Sequence, residues 1–380
     1  MLAELWLCAV IGYVAQTIGI SRLFGRSSSG GSTDVMLILG AQLSSWIVVG
    51  PLSQLFCRLK YGCKSRSGWW KAAFFPQPPR FSDTVRDLCL PVATTPTAKG
   101  NPKVLLSQLV RALFLAIMLC SAQYTYLVAL GLSPALDVAI IHNLSMFEIV
   151  SLLLGITGMA SRRNMLRNFA LIIIVLVGIL TISYTKASCD LLSGKLALNT
   201  KTGELDDPFL FDRLKSALTC GLGALAVGPV FVMWSKWTSA TQSCTEDTSS
   251  SKLGQAVKVC TLSYEISVIG VINLLILAPI MTYHRQELPL TVPSVSETLY
   301  IFLFVFAGHL VMVASLVHLS FQVSPRFTST CFLGSIVFTA LADWVTQTNE
   351  ITITRWEVIG YITLSVSGLI LGRQYLSHAK

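Results

Sequence analysis

The chain has 380 residues, of which 53% are hydrophobic and only 12% charged, with a net charge of +9 and a mean hydropathy of +0.66. A soluble domain of this length cannot bury so much apolar surface, so the composition indicates a polytopic membrane protein. The basic residues stand mostly in short segments between apolar runs, where they set orientation, so the positive charge does not indicate a nucleic-acid-binding protein.

Ten apolar runs follow one another along the chain, each close to the ~20 residues that a helix needs to cross a bilayer. The first run lacks a basic leader and a clear cleavage site, so we interpret it as a retained helix rather than a signal peptide. We therefore predict an all-α polytopic membrane protein with ten transmembrane helices. The predicted spans are roughly 2–22, 35–57, 105–130, 134–158, 168–185, 214–234, 256–282, 297–321, 326–346 and 356–376.

The distribution of Lys and Arg predicts which segments face the cytoplasm. If both termini and the long 58–103 loop are cytoplasmic, the cytoplasmic segments carry about twice as many basic residues as the opposite ones. The 186–212 loop is acidic and falls on the non-cytoplasmic side. We expect an endomembrane location (Golgi, endoplasmic reticulum or vacuole) in preference to the plasma membrane.

Two Ser-Pro pairs suggest that the chain consists of related halves. Ser133-Pro134 opens one apolar run and Ser324-Pro325 opens another, about half a chain length later. Each half holds five predicted spans, and an odd number inverts the second half relative to the first. The predicted organisation is therefore two inverted five-helix repeats, 1–185 and 213–380, joined by the 186–212 loop.

Several polar side chains fall inside the apolar runs, where an ionisable group costs a few kcal/mol or more and often marks a cavity, a pairing or a transport path. Each also has a structural explanation, such as a packed histidine, a carboxylate bonded to a neighbouring helix, or an arginine that reaches the headgroups. The candidates for substrate binding or coupling are Arg111, His142, Asn143, Glu148, Glu265 and His309. Neither a CxxC pair, a P-loop nor a GxGxxG motif before a helix is present, so no metal or other cofactor is expected.

Three segments resemble the drug/metabolite transporter superfamily, which holds the EamA-like carriers and the nucleotide-sugar transporters. They are Tyr126-Leu-Val-Ala-Leu130 running into Ser133-Pro134, the basic Ser161–Arg167 link followed by Gly178, and Val323–Thr330 leading to Asp343. The last is most similar to the solute carrier family 35, F branch, and its fungal relatives.

This resemblance implies a secondary-active transporter that moves a small organic solute by alternating access. The solute would be nucleotide-sugar-like, phosphorylated or another metabolite, and we hypothesise that Glu148 or Glu265 couples its movement to a proton. The expected partners are that solute and the lipid bilayer, without nucleic acid, and a homodimer is left open.

Two other classes compete with the transporter. A membrane-embedded lipid-modifying transferase needs acid and base groups close together, whereas the candidate residues are spread over several spans, so we expect that the protein is not an enzyme. A non-transporting membrane scaffold or receptor predicts large structured loops, and only the 58–103 loop is long.

Overall fold

The computed structural model describes residues 2–27, 35–61, 102–156, 208–243, 252–287, 295–323 and 325–346, together with a few helical positions within 170–177 and 358–370. All regular structure in these residues is helical. The helices are α1 (Leu2–Ser27), α2 (Val35–Tyr61), α3 (Pro102–Leu132), α4 (Ala135–Ile156), α5 (Pro208–Ser243), α6 (Lys252–Glu287), α7 (Val295–Tyr300), a π-helical segment (Ile301–Ala307), α8 (Gly308–Gln322) and α9 (Pro325–Thr346).

The prediction of an all-helical membrane protein is confirmed for this part of the chain. Seven helices are long and apolar enough to cross a membrane: α1, α2, α3, α5, α6, the continuous helix Val295–Gln322, and α9. These seven candidates compare with ten spans predicted over the whole sequence. The predicted spans 168–185 and 356–376 lie almost entirely outside the described residues.

The two Ser-Pro pairs stand where the sequence placed helix starts. α3 ends at Leu132, and the backbone N–H of Ser133 donates to the Ala129 carbonyl over 3.1 Å. Pro134 lies immediately before α4, and Pro325 is the first residue of α9. Proline suits this position because the first N–H groups of a helix have no intrahelical partner to lose.

The helices pack in a repeated pattern of pairs. α2 packs against α6, α3 against α5, and α1 against α8, while α4 contacts both α5 and α9. Small residues permit close approach: Gly12 of α1 faces Gly308 of α8, and Gly270 of α6 lies against Trp46 of α2. Such contacts are typical of membrane helices, where association depends on close packing rather than on expulsion of water.

One face of α5 shows what surrounds the bundle. Leu218, Leu222 and Leu225 repeat at helical spacing, and their side chains are 63%, 63% and 57% exposed. A continuous apolar stripe of this kind costs free energy in water and fits the hydrocarbon of a bilayer.

A π-helical segment interrupts the helix that ends in α8. It spans Ile301–Ala307 and is followed at once by Gly308 and the buried His309. π-Helical turns are rare and often stand next to functional sites. This one directly precedes Gly308, which packs against Gly12 of α1.

Candidate functional site

A cavity lies at the centre of the bundle. Side chains from α1, α2, α3, α4, α5, α6, α8 and α9 line it. About 140 Å³ is open to the centre of a water-sized sphere, whereas a single water needs roughly 10–15 Å³ in the same measure. The cavity therefore has room for on the order of ten water-sized groups.

Next to the cavity, His309 is fixed by two hydrogen bonds. The Trp46 indole N–H donates to His309 Nε2 over 2.6 Å, and His309 Nδ1 lies 2.7 Å from Gln16 Oε1. An indole can only donate, so Nε2 must accept, and Nδ1 must carry the proton that it donates to Gln16. The imidazole is thus neutral in one defined tautomer, and both of its nitrogens are engaged.

A second polar cluster lies at the level of the helix middles. The hydroxyl groups of Thr17 and Tyr126 share a hydrogen bond of 2.7 Å, and the Tyr126 hydroxyl also donates to the Tyr13 hydroxyl over 3.3 Å. The rings of Tyr126 and His142 have centroids 4.8 Å apart. These contacts join α1, α3 and α4, and three of the four side chains, Tyr13, Tyr126 and His142, also line the cavity.

Four buried polar atoms around the cavity have no hydrogen-bond partner among the described residues. They are Gln123 Oε1, His142 Nδ1, Asn143 Nδ2 and Trp234 Nε1, and all four side chains line the cavity. Folded proteins contain few such atoms, because an unsatisfied buried donor or acceptor costs ~1–3 kcal/mol. The cavity can therefore offer both donors and acceptors to a molecule that enters it.

The described lining residues carry no carboxylate, amine or guanidinium group. Within the same part of the chain, no group of three His, Cys, Asp or Glu side chains is arranged to hold a metal ion. The cavity is consequently apolar with a few neutral polar groups, which is the usual character of a site for a small or amphipathic ligand.

The structure brings two of the six predicted site residues to the cavity. His142 and Asn143 line it, whereas His309 lies behind Trp46 and Gln16 and is fully buried. Glu265 is half-buried on α6, makes a polar contact, and is not among the lining residues. Arg111 and Glu148 belong to α3 and α4, but their side chains lie outside the described residues.

Sequence reasoning missed most of the polar lining. The candidates were limited to ionisable side chains and Asn143, which leaves out the glutamine amides and the aromatic N–H and O–H groups. The glutamines were the available signal, because a Gln in a membrane span needs a hydrogen-bond partner. The missed residues are Tyr13, Gln16, Trp46, Gln123, Tyr126 and Trp234.

Comparison with known proteins decides the family. The family described as CSG2, ceramide synthase regulator, matches residues 1–375. The chain belongs to the CSG2 ceramide synthase regulator family. The Saccharomyces cerevisiae (strain ATCC 204508 / S288c) protein named mannosyl phosphorylinositol ceramide synthase regulatory protein CSG2 is 34% identical over 401 residues, which cover 97% of this chain and 96% of that protein.

Membership of the CSG2 family corrects two predictions. The assignment to the drug/metabolite transporter superfamily, including its EamA-like and solute carrier 35 branches, is wrong, and so is the function of a secondary-active transporter. The Ser-Pro turns and span layout on which it rested belong to the architecture, and one architecture supports many functions. Proton coupling of transport through Glu148 or Glu265 was part of that function and is wrong with it, whereas the choice of the six residues as binding candidates stays a prediction.

CSG2 family members are regulators, so the expectation that the chain is not an enzyme is confirmed. A solved structure named only "Crystal structure of protein" shares 12% identity, with a TM-score of 0.50 over 97% of this chain and 98% of that one. At this identity the likeness concerns the fold alone.

Proposed function

We propose that the protein is a non-transporting, membrane-embedded regulatory subunit of a synthase that makes mannosyl phosphorylinositol ceramide. The observation that carries this proposal is the match to a regulatory protein of that synthase along nearly the full length of both chains. The family description refers more broadly to ceramide synthase. The name of the relative specifies one enzyme, mannosyl phosphorylinositol ceramide synthase, and this enzyme is the proposed partner.

The bundle's surface and interior suit such a role. The described cavity lining offers His142 but no carboxylate that could act with it as an acid–base pair in mannosyl transfer, so we assign the catalytic groups to a partner protein. The bilayer-facing stripe on α5 offers an apolar surface that a partner's transmembrane helix can contact. The proposed partner is therefore an integral membrane synthase, and it replaces the small organic solute that the sequence predicted.

Complementation tests this function. The chain is expressed in S. cerevisiae cells that lack the 34% identical relative, and mannosylated and unmannosylated phosphorylinositol ceramides are measured by mass spectrometry. We expect the mannosylated fraction to recover and the tagged chain to retain the synthase during purification. A protein that is abundant and correctly located yet neither restores the lipid nor retains the synthase would contradict the proposal.

We also propose that the complete chain has ten spans in two inverted repeats, 1–185 and 213–380. The helix pairs support this arrangement. If α1, α2, α3 and α4 correspond to α5, α6, α8 and α9, then the α1–α8 pair exchanges with α5–α3, while α2–α6 and α4–α9 map onto themselves. An experimental structure in which 134–185 does not superpose on 325–376 through a two-fold axis in the membrane plane would remove the proposal.

Orientation and location form a third part of the proposal. The bias of Lys and Arg supports cytoplasmic termini, a cytoplasmic 58–103 loop and a lumenal 186–212 loop in an endomembrane. A protease site inserted in 58–103 should be cut in sealed, right-side-out endomembrane vesicles, and one in 186–212 should be cut only after permeabilisation. The reverse pattern would overturn the orientation.

A further inference from the structure

The unpartnered polar atoms at the central cavity have a chemistry that limits what can bind there. Asn143 Nδ2 and Trp234 Nε1 can only donate, Gln123 Oε1 can only accept, and His142 Nδ1 can do either according to its tautomer. A ligand that satisfies them must therefore carry both an acceptor, such as a carbonyl oxygen, and a donor, such as a hydroxyl or amide N–H.

The described lining residues carry no charged group that could pair with a charged ligand. No Lys or Arg is among the described lining residues, so nothing there offsets the desolvation of a phosphate. Within the same described lining there is also no carboxylate to pair with an amine. A neutral polar end is therefore the one that fits the described lining.

The polar and apolar parts of the cavity lie at different depths. Tyr13, His142 and Asn143 stand near the middles of their helices. The apolar lining extends from there toward the end of the bundle where the candidate spans in α3, α6 and α9 begin and where the span of α5 ends at Trp234. We call this end of the cavity its mouth. The Trp234 N–H therefore lies apart from the unpartnered atoms of Gln123, His142 and Asn143. The cavity thus has a polar floor at mid-depth and an apolar wall formed by Leu115, Leu119, Val230, Ile266, Val313 and Phe332.

We propose that this cavity binds the polar end of a neutral lipid of the ceramide class. Such a lipid has an amide and hydroxyl groups for the floor, and hydrocarbon chains that follow the apolar wall and leave through the mouth. Room for on the order of ten water-sized groups accommodates the amide, the hydroxyl groups and adjacent carbons, but not two long chains. The choice of ceramide among neutral amide lipids rests on the proposed function.

Photo-cross-linking of the purified full-length chain tests the proposal. A ceramide that carries a photoreactive group and an alkyne tag is cross-linked to the protein, and labelled peptides are mapped by mass spectrometry. Unlabelled ceramide, ceramide 1-phosphate and diacylglycerol serve as competitors. We expect label in α3, α4 and α5, and ceramide should compete about tenfold better than its phosphate, whose charge finds no cation, or than diacylglycerol, which has no amide N–H.

Two variants and a matched control connect the binding to the cavity. Asn143→Leu removes polar atoms from the floor and should weaken binding ~3- to 10-fold. Val230→Phe fills the apolar wall, keeps every polar atom, and should weaken binding similarly. The control is Asn273→Leu in α6, which alters a fully buried Asn whose two side-chain polar atoms also lack partners within the described residues but which does not line the cavity.

The proposal is overturned if Val230→Phe binds like the wild type, if folded Asn143→Leu behaves like Asn273→Leu, or if ceramide 1-phosphate competes as well as ceramide. Should Asn143→Leu fail to fold, Val230→Phe decides alone. The assay uses the isolated chain and the complementation assay uses the synthase, so each hypothesis can fail while the other stands.

Discussion

Gln16 and Gln123 line the same cavity, and replacing each by leucine should change the stability of the protein differently. Gln16 Oε1 accepts the hydrogen bond from His309 Nδ1 over 2.7 Å, whereas Gln123 Oε1 has no partner among the described residues. Gln16→Leu would leave the His309 N–H buried without an acceptor, because Nε2 is already engaged by Trp46. Gln123→Leu removes an oxygen that bonds to nothing in the described chain and keeps a side chain of similar volume.

The expected magnitudes follow from these contacts. An orphaned buried donor costs ~1–3 kcal/mol, so Gln16→Leu should lower the free energy of unfolding by about that amount. Gln123→Leu should leave it unchanged or raise it slightly, since an unsatisfied acceptor is replaced by an apolar group. Titration with a denaturing detergent, followed by circular dichroism on ligand-free protein, measures both values.

A double-mutant cycle isolates the bond itself. Gln16→Leu, His309→Leu and the double variant should give a coupling free energy of ~0.5–3 kcal/mol, the range for residues in direct contact. Equal losses for Gln16→Leu and Gln123→Leu, or a coupling near zero, would refute the assigned tautomer and the engagement of both imidazole nitrogens.

Two further predictions concern helix packing. A Cβ at Gly12 would lie 2.7 Å from the Gly308 carbonyl oxygen, so Gly12→Leu should force α1 away from α8 and lower the free energy of unfolding by at least ~1–3 kcal/mol. Gly221→Leu is the control, because nothing lies within 4 Å of a Cβ there, and it should melt like the wild type. Equal melting of the two variants would contradict the close approach of α1 and α8. Trp6→Phe removes the 3.2 Å hydrogen bond from the indole N–H to Thr330 Oγ1 and should lower the free energy of unfolding by ~0.5–1.5 kcal/mol in the same titration. An unchanged free energy would show that this bond does not stabilise the α1–α9 contact.

Much of the fold was predictable from the sequence, because a membrane helix appears there as an apolar run of a defined length. Eight of the ten predicted spans coincide with helices, the other two lie almost entirely outside the described residues, and Pro134 and Pro325 both stand at helix starts. The helix ends were predicted less well: α5 and α6 extend well beyond their apolar runs, to Pro208–Ser243 and Lys252–Glu287. Backbone hydrogen bonds continue a helix into polar flanks, and hydropathy does not report them.

The site was only partly predictable. His142 and Asn143 stood out because polar groups are rare in apolar spans, and both line the cavity. His309 stood out for the same reason, yet it serves to hold Trp46 and Gln16. Whether a buried polar side chain faces a cavity or a partner depends on residues that are distant in sequence, so spacing alone cannot separate the two. The same limit explains the wrong transporter prediction, since regulators and carriers can share a layout.

The π-helical segment Ile301–Ala307 has a consequence for changes in chain length. A π-helical turn holds about one residue more than an α-helical turn, so deleting one residue here would return the segment to α-helical geometry with little rotation of either flank. Contacts of Gly308 and His309 with α1 and α2 anchor the C-terminal flank. This turn is therefore a place where the chain can lose one residue inside a membrane helix without altering the cavity walls.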